Sequence, residues 1–287
     1  MDSAELLKRV RKIEIKTKGL SSQIFSGEYH SAFKGRGMAF SEVREYVEGD
    51  DVRNIDWNVT ARFGNPYVKV FEEERELTVM LLVDVSESGM FGSTAMLKRE
   101  LITELTATIA FSAIQNNDKA GVIFFSDKIE LYIPPKKGKS HILRIIRELI
   151  NFKPASKGTD ISLALKYLNN MIKKRCIAFV ISDFMDSGFD DAIKVSSKKH
   201  DLAALRIVDP REEEMPDVGL VRFKDAETGF VSVMDTSDAN VRNNYRLYFQ
   251  QSARLTSELL NKSGVDNVAI RTDQSYVKPL MNLFKQR

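Results

Sequence analysis

LTVMLLVDVSESG, residues 77–89, is an apolar run that stops at Asp84 and continues into Ser86 and Ser88. The run is continuous rather than alternating, which is the pattern of a strand covered on both faces of a parallel sheet. Beyond it, three oxygen-bearing residues fall at alternate positions. A loop leaving the strand end can turn all three toward one point while Val85 and Glu87 face elsewhere. Two later segments add to the pattern. GTDIS carries Thr159 into a helix that begins ISLALKYLNNMI, and AFVISDF ends a second apolar strand at Asp183.

A hard divalent cation such as Mg²⁺ takes oxygen donors at about 2.0–2.1 Å in a near-octahedral shell and gives up its waters reluctantly. Asp84, Ser86, Ser88, Thr159 and Asp183 are therefore candidate ligands for Mg²⁺ or Mn²⁺. With hydroxyls dominating the shell, the ion keeps much of its charge and an exchangeable water, and so can take a carboxylate from another molecule. Each segment also has a plain structural reading. Ser, Thr and Asp bond nearby amides in turns and helix caps, Thr159 or Asp160 suits the cap of the following helix, and Asp183 can close a strand. Three such segments in the right order favour the metal site over coincidence.

From Leu77 onward the pattern predicts strand, helix (93–117), a strand pair (GVIFFS and KIELYIP), helices (140–152 and 160–174) and strand CIAFVIS. A helix (190–200), strand DLAALRIVD, a polar insertion with hairpin potential (VRFKD and GFVSVMD), a long helix (239–262), strand VDNVAIRT and a final helix follow. Alternating helices and apolar strands predict an α/β fold with a doubly wound, mostly parallel sheet. Ligands of such sheets bind beyond the carboxyl ends of the strands, where Asp84 and Asp183 are placed.

The site residues are similar to the metal-ion-dependent adhesion site of von Willebrand factor A domains. Its D-x-S-x-S motif matches Asp84, Ser86 and Ser88, and its threonine and later aspartate match Thr159 and Asp183. Upstream, EYVEGDDVRNIDWNVTARFGNPYVKVFEEERELTVMLLVD, residues 45–84, resembles the signature of the bacterial family called domain of unknown function 58. The resemblance covers most of the chain, most strongly from Gly35 to Asp84. It implies an A-type domain directly after the signature, over residues 77–287; no composition break separates the preceding stretch from the next strand, so residues 1–76 read as a helix and signature extension packed on that domain. It further implies that Asp84 anchors Mg²⁺, Ser86 and Ser88 ligate by hydroxyl, Thr159 changes between direct and water-mediated contact, and Asp183 balances charge. The implied partners are a protein bearing an acidic residue and a MoxR-type AAA ATPase. Many members of that family carry membrane helices ahead of the signature, and this chain departs from that pattern.

Composition narrows the function. Over 287 residues, 43% hydrophobic and 29% charged content is ordinary for a globular protein, and no apolar run approaches the roughly 20 residues of a membrane helix. MDSAELLKRVRKIEIK lacks a signal-peptide core, so a cytoplasmic location is expected. A net charge of +3 with interspersed acids argues against nucleic acid. Residues 3–18 read as an amphipathic helix whose Leu6, Leu7, Val10 and Ile13 pack on the body, with peripheral membrane contact as the alternative. The region 20–40 reads as irregular. Cys176 beside IAFVIS reads as a buried thiol.

Enzyme motifs largely fail. KKGKS at 136–140 lacks the earlier glycine of a phosphate loop, where Ile133 stands. Gly35, Arg36 and Gly37 do not extend into a dinucleotide fingerprint, and His30, His141 and His200 show no zinc spacing. A metal-assisted hydrolase or phosphotransferase using Asp84 is the enzyme-class alternative, for which the motif supplies no general base. Gly49, Asp50, Asp51, Arg53, Asp56, Trp57 and Arg62 read as an internal ion-pair network lidded by Trp57, or else as a partner surface. The acidic runs 72–76 and 212–214 read as solvated faces.

Overall fold

The computed structural model describes Arg11, Ile13, Glu14, Lys16 and residues 39–72, 77–93, 96–224 and 229–285. The expected helix 3–18 and irregular region 20–40 lie largely outside these residues, as does most of the acidic run 72–76. Arg11, Ile13, Glu14 and Lys16 are helical, and Glu14 and Lys16 pair with Lys139 and Glu104. The chain divides into two compact units, Phe33–Leu77 and the remainder.

In the larger unit, six strands order as β10-β7-β6-β3-β4-β5. They are β3 (Thr78–Asp84), β4 (Lys119–Phe125), β5 (Ile129–Lys136), β6 (Ile177–Ser182), β7 (Asp201–Val208) and β10 (Asp266–Arg271). All neighbours are parallel except β5, which returns antiparallel along β4. Val79 to Val83 are fully buried, as a strand covered on both faces requires. On one face Met80, Leu82, Ile123 and Val180 pack with Ile161 and Leu165 of the helix Ile161–Met171 and with Ile193 of the helix Asp190–Lys199. On the other lies the helix Lys98–Gln115, buried almost all round, and Phe179 meets Phe284 of the C-terminal helix edge to face. The hairpin β8 (Leu220–Lys224) and β9 (Val231–Asp235) and the helix Ala239–Lys262 match their expected positions. Among the described residues no helix is long and apolar enough to cross a membrane.

In chain order, helices are labelled α1 (Trp57–Phe63), α2 (Lys98–Gln115), α3 (Lys139–Asn151), α4 (Ile161–Met171), α5 (Asp190–Lys199), α6 (Pro210–Glu213), α7 (Ala239–Lys262) and α8 (Val277–Lys285). Helix α2 starts five residues later than its sequence pattern suggests; the Ser93 amide bonds Asp209 Oδ2 and the Lys98 amide bonds Phe91 O just before it.

Gly121 in β4 is required by close approach. A Cβ there would lie 2.8 Å from Met80 Sδ and from the backbone nitrogen of Pro135, and 3.0 Å from Ile133 O. Two of these atoms are backbone and cannot swing aside. Gly121→Ala is expected to cost about 1–3 kcal/mol, read as a lower urea midpoint with an unchanged slope.

At the opposite end of the sheet from Asp84, Cys176 and His200 are buried together, with Sγ 3.3 Å from Nδ1. Burial pushes the thiol up to about 12. The same cause, helped by Lys199 and Arg175, pushes the imidazole down to about 4. A folded pKa below the ordinary 6.5 means that acid favours the unfolded chain. The part of the stability that depends on His200 is therefore expected to be full above pH 6.5 and to be lost, on the order of 3 kcal/mol, between pH 6.5 and 4. His200→Asn should flatten that part of the profile, and Cys176 should resist thiol reagents until the protein unfolds.

The smaller unit pairs β1 (Ala39–Glu45) with β2 (Tyr67–Glu72) antiparallel, and between them run a 3₁₀ turn (Val52–Asn54) and α1. Asp56 caps α1 by accepting from the Asn58 and Val59 amides, and Gly64 closes it in the left-handed region. Ion pairs are present: Arg44 grips Asp50 with two nitrogens at 2.7 and 2.8 Å, and Lys69 and Arg53 approach Asp56 and Asp51. Trp57 is not their lid, contrary to the expectation from sequence. It is the first helical residue after its cap, which turns the indole outward, and it is 69% exposed.

Candidate metal centre

The chain leaves β3 toward β4 on one side and later returns to β6 on the other, so the winding reverses between β3 and β6. This is the crevice where doubly wound sheets bind ligands. Asp84 ends β3 and Asp183 follows β6, and both face it.

Asp84 is buried. Its Oδ1 accepts from the Ser86 amide at 2.9 Å and its Oδ2 from the Ser182 hydroxyl at 2.6 Å. Ser86 and Ser88 hydroxyls lie 2.9 Å apart. The loop thus brings Asp84, Ser86 and Ser88 together, while Val85 and Glu87, expected to face elsewhere, line the adjoining cleft with Asp84 and Ser86. Asp84, Ser88 and Asp183 line one small cavity with Lys98.

Thr159 is half-buried in the loop that enters α4. That loop is tied to the crevice at several points. Lys157 O accepts from the Glu87 amide, Ser126 O from the Asp160 amide, and Asp186 Oδ2 from the Ile161 amide at 2.9 Å. Glu130 and Asp127 hold Ala155 and Ser156. The helix cap is Asp160, which accepts from the Leu163 amide at 2.7 Å, while Thr159 precedes it.

The turn after Asp183 is strained. Phe184, buried, has φ 56, a left-handed conformation costly for a bulky residue. Its amide bonds Ser182 Oγ, its ring packs on Phe189, and the Met185 amide bonds Asp183 Oδ1. These contacts hold the aspartate where it is.

Sequence reading missed Lys98. Its ammonium is buried, 3.0 Å from Asp183 Oδ2, and also bonds Glu212 Oε1. Lys98 is the first residue of α2, where the helix dipole disfavours a cation. Burial pulls its pKa down, but Asp183 and Glu212 outweigh that and leave it raised. Glu212, expected in a solvated run, instead turns inward, because α6 is fixed by Asp209. That buried carboxylate accepts from the Ser93 amide and hydroxyl, the Arg211 amide and the Thr272 hydroxyl.

Burial, with the nearby charge of Asp183, pushes Asp84 up to about 7, against the hydrogen bonds from Ser182 and Ser86. A buried carboxylate pair with surplus negative charge, two serine hydroxyls and no soft donor fits a hard divalent cation. Among the described residues, no three His, Cys, Asp or Glu side chains form a metal cluster. A cation here would therefore depend on hydroxyls and water as well as on the two aspartates. Beside Asp84 and Ser86 opens a cleft of about 280 Å³, with Met90 and Leu149 as apolar lining and Arg99, Lys153 and Lys157 as cations.

A family model described as protein of unknown function DUF58 matches residues 42–254. The uncharacterized protein Rv1480 of Mycobacterium tuberculosis is 27% identical over 290 residues, covering 100% of this chain and 91% of that protein. The uncharacterized protein YeaD of Bacillus subtilis is 28% identical over 109 residues, 38% of this chain and 25% of its own length. Among solved structures, an aerotolerance-related membrane protein from Bacteroides fragilis aligns with TM-score 0.50 and 18% identity, over 74% of this chain and 100% of that one. The SpRpn10 VWA domain aligns with TM-score 0.43 and 10% identity, over 74% and 96%.

Proposed function

We propose a function on this premise: the chain belongs to the DUF58 family, described as proteins of unknown function, and carries the crevice between β3 and β6 as its chemistry. The protein is a metal-dependent protein-interaction module that captures an acidic side chain of a partner. The observation that carries this reading is the buried Asp84 carboxylate beside Asp183 and two serine hydroxyls.

Asp84, Ser86, Ser88, Thr159 and Asp183 would hold Mg²⁺ or Mn²⁺. The bound ion would supply a Lewis-acidic charge with an exchangeable position for a carboxylate. Arg99 and Lys153 favour an anionic partner at the adjoining cleft, where Lys157 is paired with Glu87, and Met90 and Leu149 give that partner an apolar contact. Capture needs no general base, which is why binding is preferred to hydrolysis. A MoxR-type AAA ATPase as part of the partner pathway, in assembling or remodelling a complex, rests on the family resemblance alone.

Calorimetric titration of Mg²⁺ and Mn²⁺ into metal-stripped protein tests the reading. Saturable binding near one ion per chain is expected. Heat no different from dilution with both ions would remove the site.

A further inference from the structure

Lys98 and Glu212 stand outside the ligand set, yet they join it to a second carboxylate. The lysine side chain is 1% exposed and its ammonium is shared between Asp183, just beyond β6, and Glu212 in α6. A lysine tail buried at the amino end of a helix is costly to desolvate and opposed by the helix dipole. Here it neutralises charge at the point where a divalent cation would be bound. Arg206 on β7 adds a weaker positive influence on the same acids.

Two cations cannot share Asp183 on equal terms, since like charges a few ångströms apart repel strongly in a poorly solvated site. We infer, on the basis of the metal-binding reading above, that Lys98 is an internal cation competing with the metal for Asp183, with Glu212 as the carboxylate that keeps its ammonium when Asp183 turns to the metal. Lys98 thus sets the affinity of the site and keeps the metal-free fold from bearing uncompensated acids. Glu212 makes release of Asp183 possible without stranding a buried ammonium.

The geometry gives opposite signs for the two partners. Lys98→Met frees Asp183 and leaves buried acids without a cation, so Mn²⁺ should bind at least tenfold tighter and the melting temperature should become strongly Mn²⁺-dependent. Glu212→Gln leaves Lys98 with Asp183 as its only charged partner among the described residues, so Mn²⁺ should bind several-fold more weakly. The experiment is titration of Mn²⁺ into the metal-stripped full chain, wild type and both variants, with melting followed by circular dichroism with and without the ion.

Tighter binding in Lys98→Met with weaker binding in Glu212→Gln supports the inference, as does a Lys98→Met protein that folds only with Mn²⁺. If wild type binds and Lys98→Met binds equally or more weakly, Lys98 merely positions Asp183 and the inference falls while the metal site stands. If Lys98→Met folds under neither condition, Glu212→Gln decides, and unchanged or tighter binding there overturns the inference. Binding by none of the three overturns the metal reading itself.

Discussion

Asp84→Asn is expected to reduce Mg²⁺ and Mn²⁺ affinity by at least 100-fold while leaving the metal-free protein as stable as wild type, or more so. The two effects have one cause. Asp84 is a buried carboxylate held near another, and burial plus the charge of Asp183 already push its pKa to about 7. An amide of the same shape keeps the bond from the Ser86 amide and can donate toward Ser182 Oγ, which replaces the bond that Ser182 now makes to Oδ2. It removes the repulsion and the principal anionic ligand together. Calorimetry gives the affinity and urea unfolding followed by circular dichroism gives the stability. A variant that loses several kcal/mol would mark Asp84 as a structural turn residue.

Asp209→Ala should be the most damaging single substitution to the fold. One fully buried carboxylate accepts four donors from three separate segments: the loop beyond β3, the start of α6 and the end of β10. Alanine would orphan those donors together, a loss of about 3–5 kcal/mol, or roughly 10 °C in melting temperature for a unit of this size. Because α6 carries Glu212 to Lys98, Mn²⁺ affinity should change as well. A melting temperature within 2 °C of wild type, as an order-of-magnitude bound, would show that water replaces the carboxylate.

Most of the sheet was legible because its signals are local. Continuous apolar runs mark β3, β4, β6 and β7, and the ends of α7 fall where the sequence places them. Asp84, Ser86 and Ser88 were legible because three residues in five carry their own spacing. Lys98 was not. In sequence it lies within the helix expected over 93–117 with nothing local to mark it, and its inward turn depends on Asp183 and Glu212, 85 and 114 residues away. Glu212 was hidden likewise within an acidic run, since its inward turn depends on Asp209 and on contacts far away in the chain. The short helix α1 escaped notice because seven residues carry no periodicity, and with it went the placement of Trp57.

Trp57 is the chain's only tryptophan and sits 69% exposed in the smaller unit. Its emission should already resemble that of an indole in water, so intrinsic fluorescence will be nearly blind to the melting of the six-stranded sheet and to events at Asp84. A fluorescence melt could then return a smooth, uninformative curve for a protein that is unfolding normally. The same property makes the residue a built-in optical reporter: a blue shift or quenching on addition of another protein would mean that the face around Trp57 and Phe63 has been covered, with no label attached.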